Sequence, residues 1–148
     1  MNGFAVLCIM LSVSCSTEVA RHGCLPTDYA TAYKHAQAGT KPMLVVVTAQ
    51  WCAPCQMLKR TTLRDMMAQN GFKDFYFAMV DVDRDAGVAA KLTEGRPVPQ
   101  VIIFERNGTS WTRRYSIGYH TVDTLQAFLA PSIKPDVRTA EAQSTTNR

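Results

Sequence analysis

Residues 43–58 read MLVVVTAQWCAPCQML, an apolar run that leads directly into two cysteines separated by two residues. The β-branched run over 43–49 predicts a strand that is buried on both faces, as in a parallel or mixed sheet covered by helices. Apolar residues at helical spacing follow over 57–67. The stretch therefore predicts a junction between a strand and a helix, with Cys52 and Cys55 at the start of the helix.

This position gives the two cysteines a definite chemistry. At the N-terminus of a helix, unpaired backbone N–H groups and the positive end of the helix dipole stabilise a thiolate. Because only the thiolate attacks a disulfide, Cys52 is the predicted nucleophile. Cys55 falls one helical turn later, where its thiol can displace the resulting mixed disulfide. Pro54 is tolerated in the first turn, and its fixed φ keeps that turn rigid.

Other uses of a C-x-x-C pair find less support in the sequence. A structural zinc site needs four ligands, and the chain has no second cysteine pair of this kind. Haem attachment needs a histidine after the second cysteine, where this chain has Gln56. We therefore expect no resident metal at the pair, and two purely structural cysteines are one alternative to a catalytic pair. The residues that could add metal ligands are Cys24, His22, His35 and His120.

Outward from the motif, the pattern predicts the order helix, strand, helix, strand, helix, strand, strand, helix. The first strands need helical crossovers and should run parallel, whereas the last two are joined by a tight turn at Asn107-Gly108 and must be antiparallel. We expect an α/β fold with a mixed sheet of four strands and helices on both faces. The predicted strands are residues 43–49, 75–82, 100–105 and 111–117, and the predicted helices begin after Asp28, Cys52, Asp83 and Thr121.

The length and charge of the chain limit its class. With 148 residues the chain suits one domain and is too short for two ordinary ones. The formal net charge is +4, but the basic residues are interleaved with acidic ones and form no stripe suited to phosphates. We expect a monomer with no nucleic-acid partner. The predicted segments are a signal at 1–15, a linker at 16–25, the domain at 26–130 and a disordered tail at 131–148.

The N-terminal segment predicts export. Residues 4–13 are an apolar run of signal-peptide length, too short to span a bilayer, which takes roughly 20 residues. Small residues before Cys15 fit a signal-peptidase site, and residues 11–15 also resemble a lipoprotein signal in which Cys15 carries the lipid. Residues 1–3 contain no Lys or Arg, and Ser12 stands where the lipoprotein pattern has Leu. We expect a periplasmic protein or a membrane-anchored lipoprotein; a cytoplasmic protein with an ordinary buried segment here is the alternative.

With these features in order, the chain resembles the thioredoxin family over about residues 26–130. The segment that leads into the cysteines looks especially like exported thioredoxin-like proteins and the soluble redox domains of bacterial transmembrane electron-transfer systems. The landmarks that carry the resemblance are Trp51-Cys52-Ala53-Pro54-Cys55, Asp81-Val82-Asp83, Val98-Pro99 ahead of QVIIF, the Asn107-Gly108 hairpin and Gly118.

The resemblance implies a thioredoxin-like fold with a sheet of four or five strands, and it assigns roles to the residues of the site. Cys52 would be the attacking thiol and Cys55 the resolving thiol. Pro99 would be the cis-proline of the family, and Val98 the residue whose backbone pairs with an extended substrate segment. Trp51 would flank the rim of the active site, and a packing role suits it equally well.

These roles imply a thiol–disulfide oxidoreductase that reduces protein disulfides or relays electrons, with no organic cofactor besides its redox-active disulfide. Its partners would be disulfide-containing proteins and an upstream thiol reductant. The middle pair, Ala53-Pro54, contains no histidine, whose cation would stabilise the thiolate and make the disulfide more oxidising. We therefore expect a potential nearer to the about −270 mV of thioredoxin than to the about −120 mV of the periplasmic oxidant.

Two positions depart from the family pattern. Thioredoxins carry a buried Asp six residues before the first cysteine and a Lys that faces it from the next strand, and these positions are Val46 and Met79 here. Replacement of both charged residues together is physically reasonable, because one buried charge left without its partner destabilises the fold more than the loss of both. The usual proton carrier for Cys55 is then missing, and Gln50 beside the motif cannot titrate. We expect proton transfer through water, or slower resolution by Cys55.

Other functions stay open on the sequence alone. The same chemistry would serve an oxidase or an isomerase of folding proteins, and the redox potential separates these from a reductant. A metal chaperone or binding module would instead use the C-x-x-C for a soft ion such as Cu(I), although no Met or His cluster lies beside the motif. Cys24 receives no role: a free buried thiol and an intermolecular disulfide fit it equally well.

Overall fold

The computed structural model describes residues 26–133, so the predicted signal and linker, with Cys15 and Cys24, lie outside the described residues. The strands are β1 (Met43–Thr48), β2 (Tyr76–Asp81), β3 (Gln100–Asn107) and β4 (Ser110–Ile117). The helices are α1 (Tyr29–Ala38), α2 (Ala53–Leu58), α3 (Arg64–Ala68), α4 (Ala86–Thr93) and α5 (Val122–Leu129). None of these helices is long and apolar enough to cross a bilayer. Every predicted strand is present, with its ends shifted by at most two residues.

The four strands form one mixed sheet in the order β2-β1-β3-β4. β1 and β2 run parallel, and β3 and β4 form the predicted antiparallel hairpin. At the outer edge of β2, Thr27 makes a single parallel bridge to Ala78. The predicted mixed α/β sheet is thus confirmed, and within residues 26–133 this one bridge is all that represents a fifth strand.

The predicted parallel direction is correct for β1 and β2 but wrong for β3, which runs antiparallel to β1. The connection between β2 and β3 explains the difference. Helix α4 has eight residues, which span only about 12 Å at a rise of about 1.5 Å per residue. Residues 94–99 then bring the chain back, so that Gln100 pairs with Val47 near the end of β1. The helix therefore returns the chain to the edge where β2 ended, and β3 must run the opposite way.

Helices cover both faces of the sheet, as the apolar run in β1 predicts. All six residues of β1 are buried. One face packs Leu44 and Val46 against α2, α3 and α5, and the other packs Val45 and Val47 against α1 and α4. Since successive side chains of a strand point to opposite faces, one short strand anchors two separate cores. The junction after β1 is therefore held from both sides.

The described structure continues beyond the predicted domain boundary at residue 130. A 3₁₀ turn, Ala130–Ser132, follows α5. Ser132 is buried, and its hydroxyl accepts a hydrogen bond from the Arg114 guanidinium at 2.5 Å. The sequence pattern missed this because the anchor is a side chain of β4 rather than a feature of the tail. The remainder of the predicted tail, from residue 134, lies outside the described residues.

Candidate active site

The two cysteines lie where β1 gives way to α2. Cys52 is the N-cap of α2, so its side chain stands at the unpaired N–H groups of the first helical turn. The Cys55 N–H donates to the Cys52 Sγ at 3.3 Å. The two sulfurs are joined in a disulfide, with the Cα atoms 5.2 Å apart. The predicted strand–helix junction is therefore present, with the first sulfur at the N-terminus of the helix.

The two sulfurs differ in their access to solvent. Cys52 is 6% exposed, whereas Cys55 is fully buried. Ala53 and Pro54 between them are exposed, and Pro54 occupies the first turn of α2. A disulfide that approaches from solvent therefore reaches Cys52 first, and Cys55 stays behind the turn that these two residues form.

The loop before β3 faces Cys52. The Val98–Pro99 peptide bond is cis, the isomer that the family resemblance implies. The Val98 carbonyl oxygen lies 3.6 Å from the Cys52 Sγ. On the β4 side, the Gly118 N–H donates to the Pro99 carbonyl at 2.8 Å. Gly118 has a φ of 97°, a conformation that glycine adopts without steric cost.

The buried side of the cysteines is apolar. The residues that pack there are Ala49, Cys52, Cys55, Val82 and Val98. In the adjoining core, Val46 is the Cα partner of Met79 across β1 and β2. The two positions that hold the charge pair in thioredoxins thus face each other here, and both are apolar. Among these residues only the two cysteines, once reduced, can gain or lose a proton.

Exposed apolar or aromatic side chains lie on the segments that flank the cysteines and on the loop that follows Gly118. Trp51 is 70% exposed and Met57 is 54% exposed. The exposure of Trp51 favours a place at the rim over a packing role. Tyr119 follows Gly118 and is also exposed; its hydroxyl lies 3.3 Å from the Thr61 Oγ1. The sequence pattern grouped Met57 with the apolar positions of the helix and gave no role to Tyr119, because exposure depends on which elements pack nearby.

Gln56 fixes the turn that precedes α2. Its side-chain amide donates to the carbonyls of Ala49 and Gln50, at 3.0 and 3.1 Å. These bonds tie the first turn of the helix to the residues that follow β1, so Trp51 and Cys52 lie in a closed and braced loop. The sequence pattern identifies Gln56 only as a position without the histidine that haem attachment needs. An amide directly after a C-x-x-C motif is the signal that could have identified this brace.

A π-helical turn, Lys59–Leu63, joins α2 to α3, where the sequence predicts a regular helix. Thr62 is buried in this turn, and its hydroxyl donates to the carbonyl of His120. The neighbouring hydroxyl of Thr61, followed by that of Thr62, lowers the pKa of the Tyr119 phenol through hydrogen bonding. The turn therefore joins the helix that carries the cysteines to the loop that follows Gly118.

Within residues 26–133, no group of three or more His, Cys, Asp or Glu residues could hold a metal ion. The two histidines of this range have aromatic partners: His35 stacks on Tyr76 and His120 on Phe128, with ring centroids 5.8 and 6.4 Å apart. The remaining ligand candidates of the sequence, His22 and Cys24, lie outside the described residues.

Comparisons with known proteins agree with this geometry. A family model described as thioredoxin-like matches residues 25–105. The chain is 32% identical to a thioredoxin of Aspergillus fumigatus over 79 residues, which are 53% of this chain and 70% of that protein. A thioredoxin from Thermus thermophilus aligns with a TM-score of 0.60 and 17% identity, covering 84% of this chain and 99% of that chain. A thioredoxin from Trichomonas vaginalis aligns with a TM-score of 0.55 and 24% identity, covering 72% and 93%. At these identities the two structures support the fold alone.

Proposed function

The chain belongs to the thioredoxin-like family and is a thiol–disulfide oxidoreductase, and from that premise we propose that it reduces disulfides of other proteins through Cys52 and Cys55. One observation carries the proposal: the Cys52 sulfur caps α2 beside the Val98 carbonyl, while Cys55 is buried one turn later. A capping position stabilises the thiolate of the attacking residue. The buried Cys55 thiol does not meet the substrate directly and remains available to attack the mixed disulfide once it has formed.

The proposed reaction is a dithiol exchange in two steps. The Cys52 thiolate attacks one sulfur of the substrate disulfide, and the other substrate sulfur leaves as a thiolate that takes up a proton. Cys55 then loses its proton and attacks the Cys52 sulfur, which releases the second substrate sulfur and closes the Cys52–Cys55 disulfide. Two electrons pass to the substrate, and an upstream thiol reductant must return them. No organic cofactor takes part.

Protein disulfides suit the surface around Cys52. The exposed side chains of Trp51, Met57 and Tyr119 offer an apolar rim on which a polypeptide can bury apolar groups. The backbone of Val98 lies beside the attacking sulfur, where an extended substrate segment can pair with it. The soft-metal alternative would have to rely on the two cysteine sulfurs alone, since within residues 26–133 no group of three or more His, Cys, Asp or Glu residues could hold a metal ion.

The direction we propose is reduction. Ala53 and Pro54 place no cation beside the Cys52 sulfur, so the thiolate gains less stabilisation than in strong oxidants. Equilibration of the purified protein with glutathione should give a potential nearer to about −270 mV than to about −120 mV. A potential above about −180 mV, the value of protein disulfide isomerase, would assign the protein to oxidation or isomerisation instead.

The test of the proposed function uses the two cysteines separately. With dithiothreitol as reductant, the wild-type protein should catalyse insulin reduction, and Cys52→Ser should abolish it. Cys55→Ser should accumulate a mixed disulfide with the substrate, which non-reducing electrophoresis detects. Cys24→Ser is the matched control and should behave as the wild type. Equal activity of wild type and Cys52→Ser would contradict the proposal.

We also propose that the protein acts outside the cytoplasm, in the periplasm or on a lipid anchor, as a monomer. The apolar run at residues 4–13 and the position of Cys15 support this location. Fractionation of cells that express the full chain should find it in the periplasm or at the membrane. If Cys15 carries lipid, Cys15→Ser should move the protein out of the membrane fraction. A purely cytoplasmic protein would contradict the proposal.

A further inference from the structure

We propose that Gln100 is a positioning residue for the active-site loop, and that it holds Pro97 so that the backbone of Val98 stays beside Cys52. The inference rests on the proposed function, because Val98 matters there as the contact for a substrate polypeptide. Gln100 acts through the loop rather than on the sulfurs. Gln100 therefore contributes to substrate recognition and takes part in no chemical step.

Gln100 is an unexpected residue for its place in the sheet. Its side chain is fully buried, and the next three residues of β3, 101–103, are apolar and buried. The Nε2 atom donates to the Pro97 carbonyl at 3.1 Å. The Oε1 atom is buried and has no hydrogen-bond partner within the described residues. A buried acceptor without a partner destabilises a fold, so stability alone would favour an apolar residue here. The bond to Pro97 is what the amide supplies.

The backbone of Gln100 gives this bond a rigid base. Gln100 is paired with Val47 of β1 on one side and with Ile117 of β4 on the other. Its side chain lies on the same face of the sheet as Val47, since paired residues share a face. From this fixed point the amide reaches back three residues to Pro97, and the contact closes a short ring of chain that includes the cis peptide bond.

The loop is thereby held at two carbonyls. The Gln100 amide holds that of Pro97 at 3.1 Å, and the Gly118 N–H holds that of Pro99 at 2.8 Å. Val98 lies between them, with its own carbonyl 3.6 Å from the Cys52 Sγ. Release of the Pro97 carbonyl would let Val98 move relative to the attacking sulfur. A polypeptide that pairs with Val98 would be affected, whereas a small disulfide that meets only Cys52 would not.

The test compares Gln100→Met with Ile102→Met. Ile102 is buried on the same face of β3, two residues further along and away from the loop, so it controls for a new methionine in this core. Gln100→Met should raise the KM for insulin about fivefold, the effect of losing one hydrogen bond. Oxidation of the reduced protein by cystamine, a small disulfide, should keep its rate when followed by tryptophan fluorescence. Ile102→Met should change neither reaction.

A second variant tests rescue. Burial raises the pKa of a carboxyl group, so Gln100→Glu should stay protonated and keep a donor for Pro97. This variant should restore the KM for insulin toward the wild-type value. Amide hydrogen exchange at Val98, measured by NMR, should be faster in Gln100→Met than in the wild type and in Gln100→Glu.

The outcomes separate the two proposals. An unchanged KM for insulin, or an equal loss with insulin and with cystamine, would overturn the positioning role. Unchanged exchange at Val98 would overturn it as well, even if the protein reduces no protein disulfide. Faster exchange at Val98 together with a wild type that is inactive on insulin would support the hold on the loop and reject the proposed function instead.

Discussion

Cys52 and Cys55 are three residues apart, yet their surroundings have opposite character. The Cys52 sulfur meets the Cys55 N–H at the start of α2, a place that favours an anion. Cys55 is fully buried and packs with Ala49, Val82 and Val98, an apolar place that disfavours an anion. On the proposed mechanism, the helix start therefore favours attack by Cys52, and burial makes the loss of a proton by Cys55 the difficult part of resolution.

The largest effect we expect is a loss of stability when a buried side chain of α2 is shortened. Leu58 is fully buried one turn after Cys55, whereas its neighbour Met57 is exposed. Leu58→Ala should lower the free energy of unfolding by about 2–5 kcal/mol, because it leaves a cavity in the core. Met57→Ala, the matched control, should stay within about 0.5 kcal/mol of the wild type. Urea denaturation measures both, and equal losses would show that the two faces of α2 do not differ as described.

A smaller effect tests the resolving step directly. Val46→Asp places a titratable group at the position where thioredoxins carry their buried Asp, and burial should bring its pKa toward neutral. As a general base it should speed release of the substrate by Cys55 at least about tenfold at neutral pH. Val46→Asn is the control, since it has the same shape and cannot take a proton. Rapid-quench measurement of the mixed disulfide gives the rates. Equal rates for Val46→Asp and the wild type would show that the loss of the Cys55 proton does not limit resolution.

The smallest effect concerns His120, whose ring packs on Phe128 at the border of the same core. Burial lowers the pKa of this imidazole below its usual 6.5, so the unfolded chain takes up a proton more readily than the folded one. The contribution of His120 to stability is therefore complete above about pH 6.5 and is lost as the pH falls below that value. The loss stays well under about 1.4 kcal/mol per pH unit, because the ring is only partly buried and solvent screens its charge.

Replacement of the imidazole isolates this contribution. In urea denaturation between pH 7.5 and pH 5, roughly the range over which a histidine of ordinary pKa titrates, His120→Gln should lose less stability than the wild type. If the free energy of unfolding fell equally with pH in both proteins, this border of the core would tolerate a charge. That result would weaken the contrast between the surroundings of the two cysteines.

The sequence predicted the parts of the site that depend on neighbouring residues. Cys52 as a helix cap, Cys55 one turn later and the buried strand before them all follow from a single stretch of chain. The paired positions Val46 and Met79 also came from the sequence, through the family resemblance, and they face each other in the sheet. Local chemistry and the family resemblance are sufficient to predict these features.

The features that the sequence did not predict depend on contacts between distant parts of the chain. The direction of β3 is set by how far α4 and its loop carry the chain, which periodicity does not report. The bond between Thr62 and His120 joins residues 58 positions apart. Gln100 looked like the polar first residue of a strand, and its role emerges only from its burial and its bond to Pro97.

The pKa of the Cys52 thiol in the reduced protein tests the central claim most directly. The rate of its alkylation by iodoacetamide can be followed against pH, with peptide mapping to separate Cys52 from the other cysteines. We predict a pKa well below the ordinary cysteine value of about 8.5, because the N-terminus of α2 stabilises the thiolate. A Cys52 thiol that stays protonated up to or beyond about pH 8.5, in a protein that leaves insulin unreduced, would contradict it.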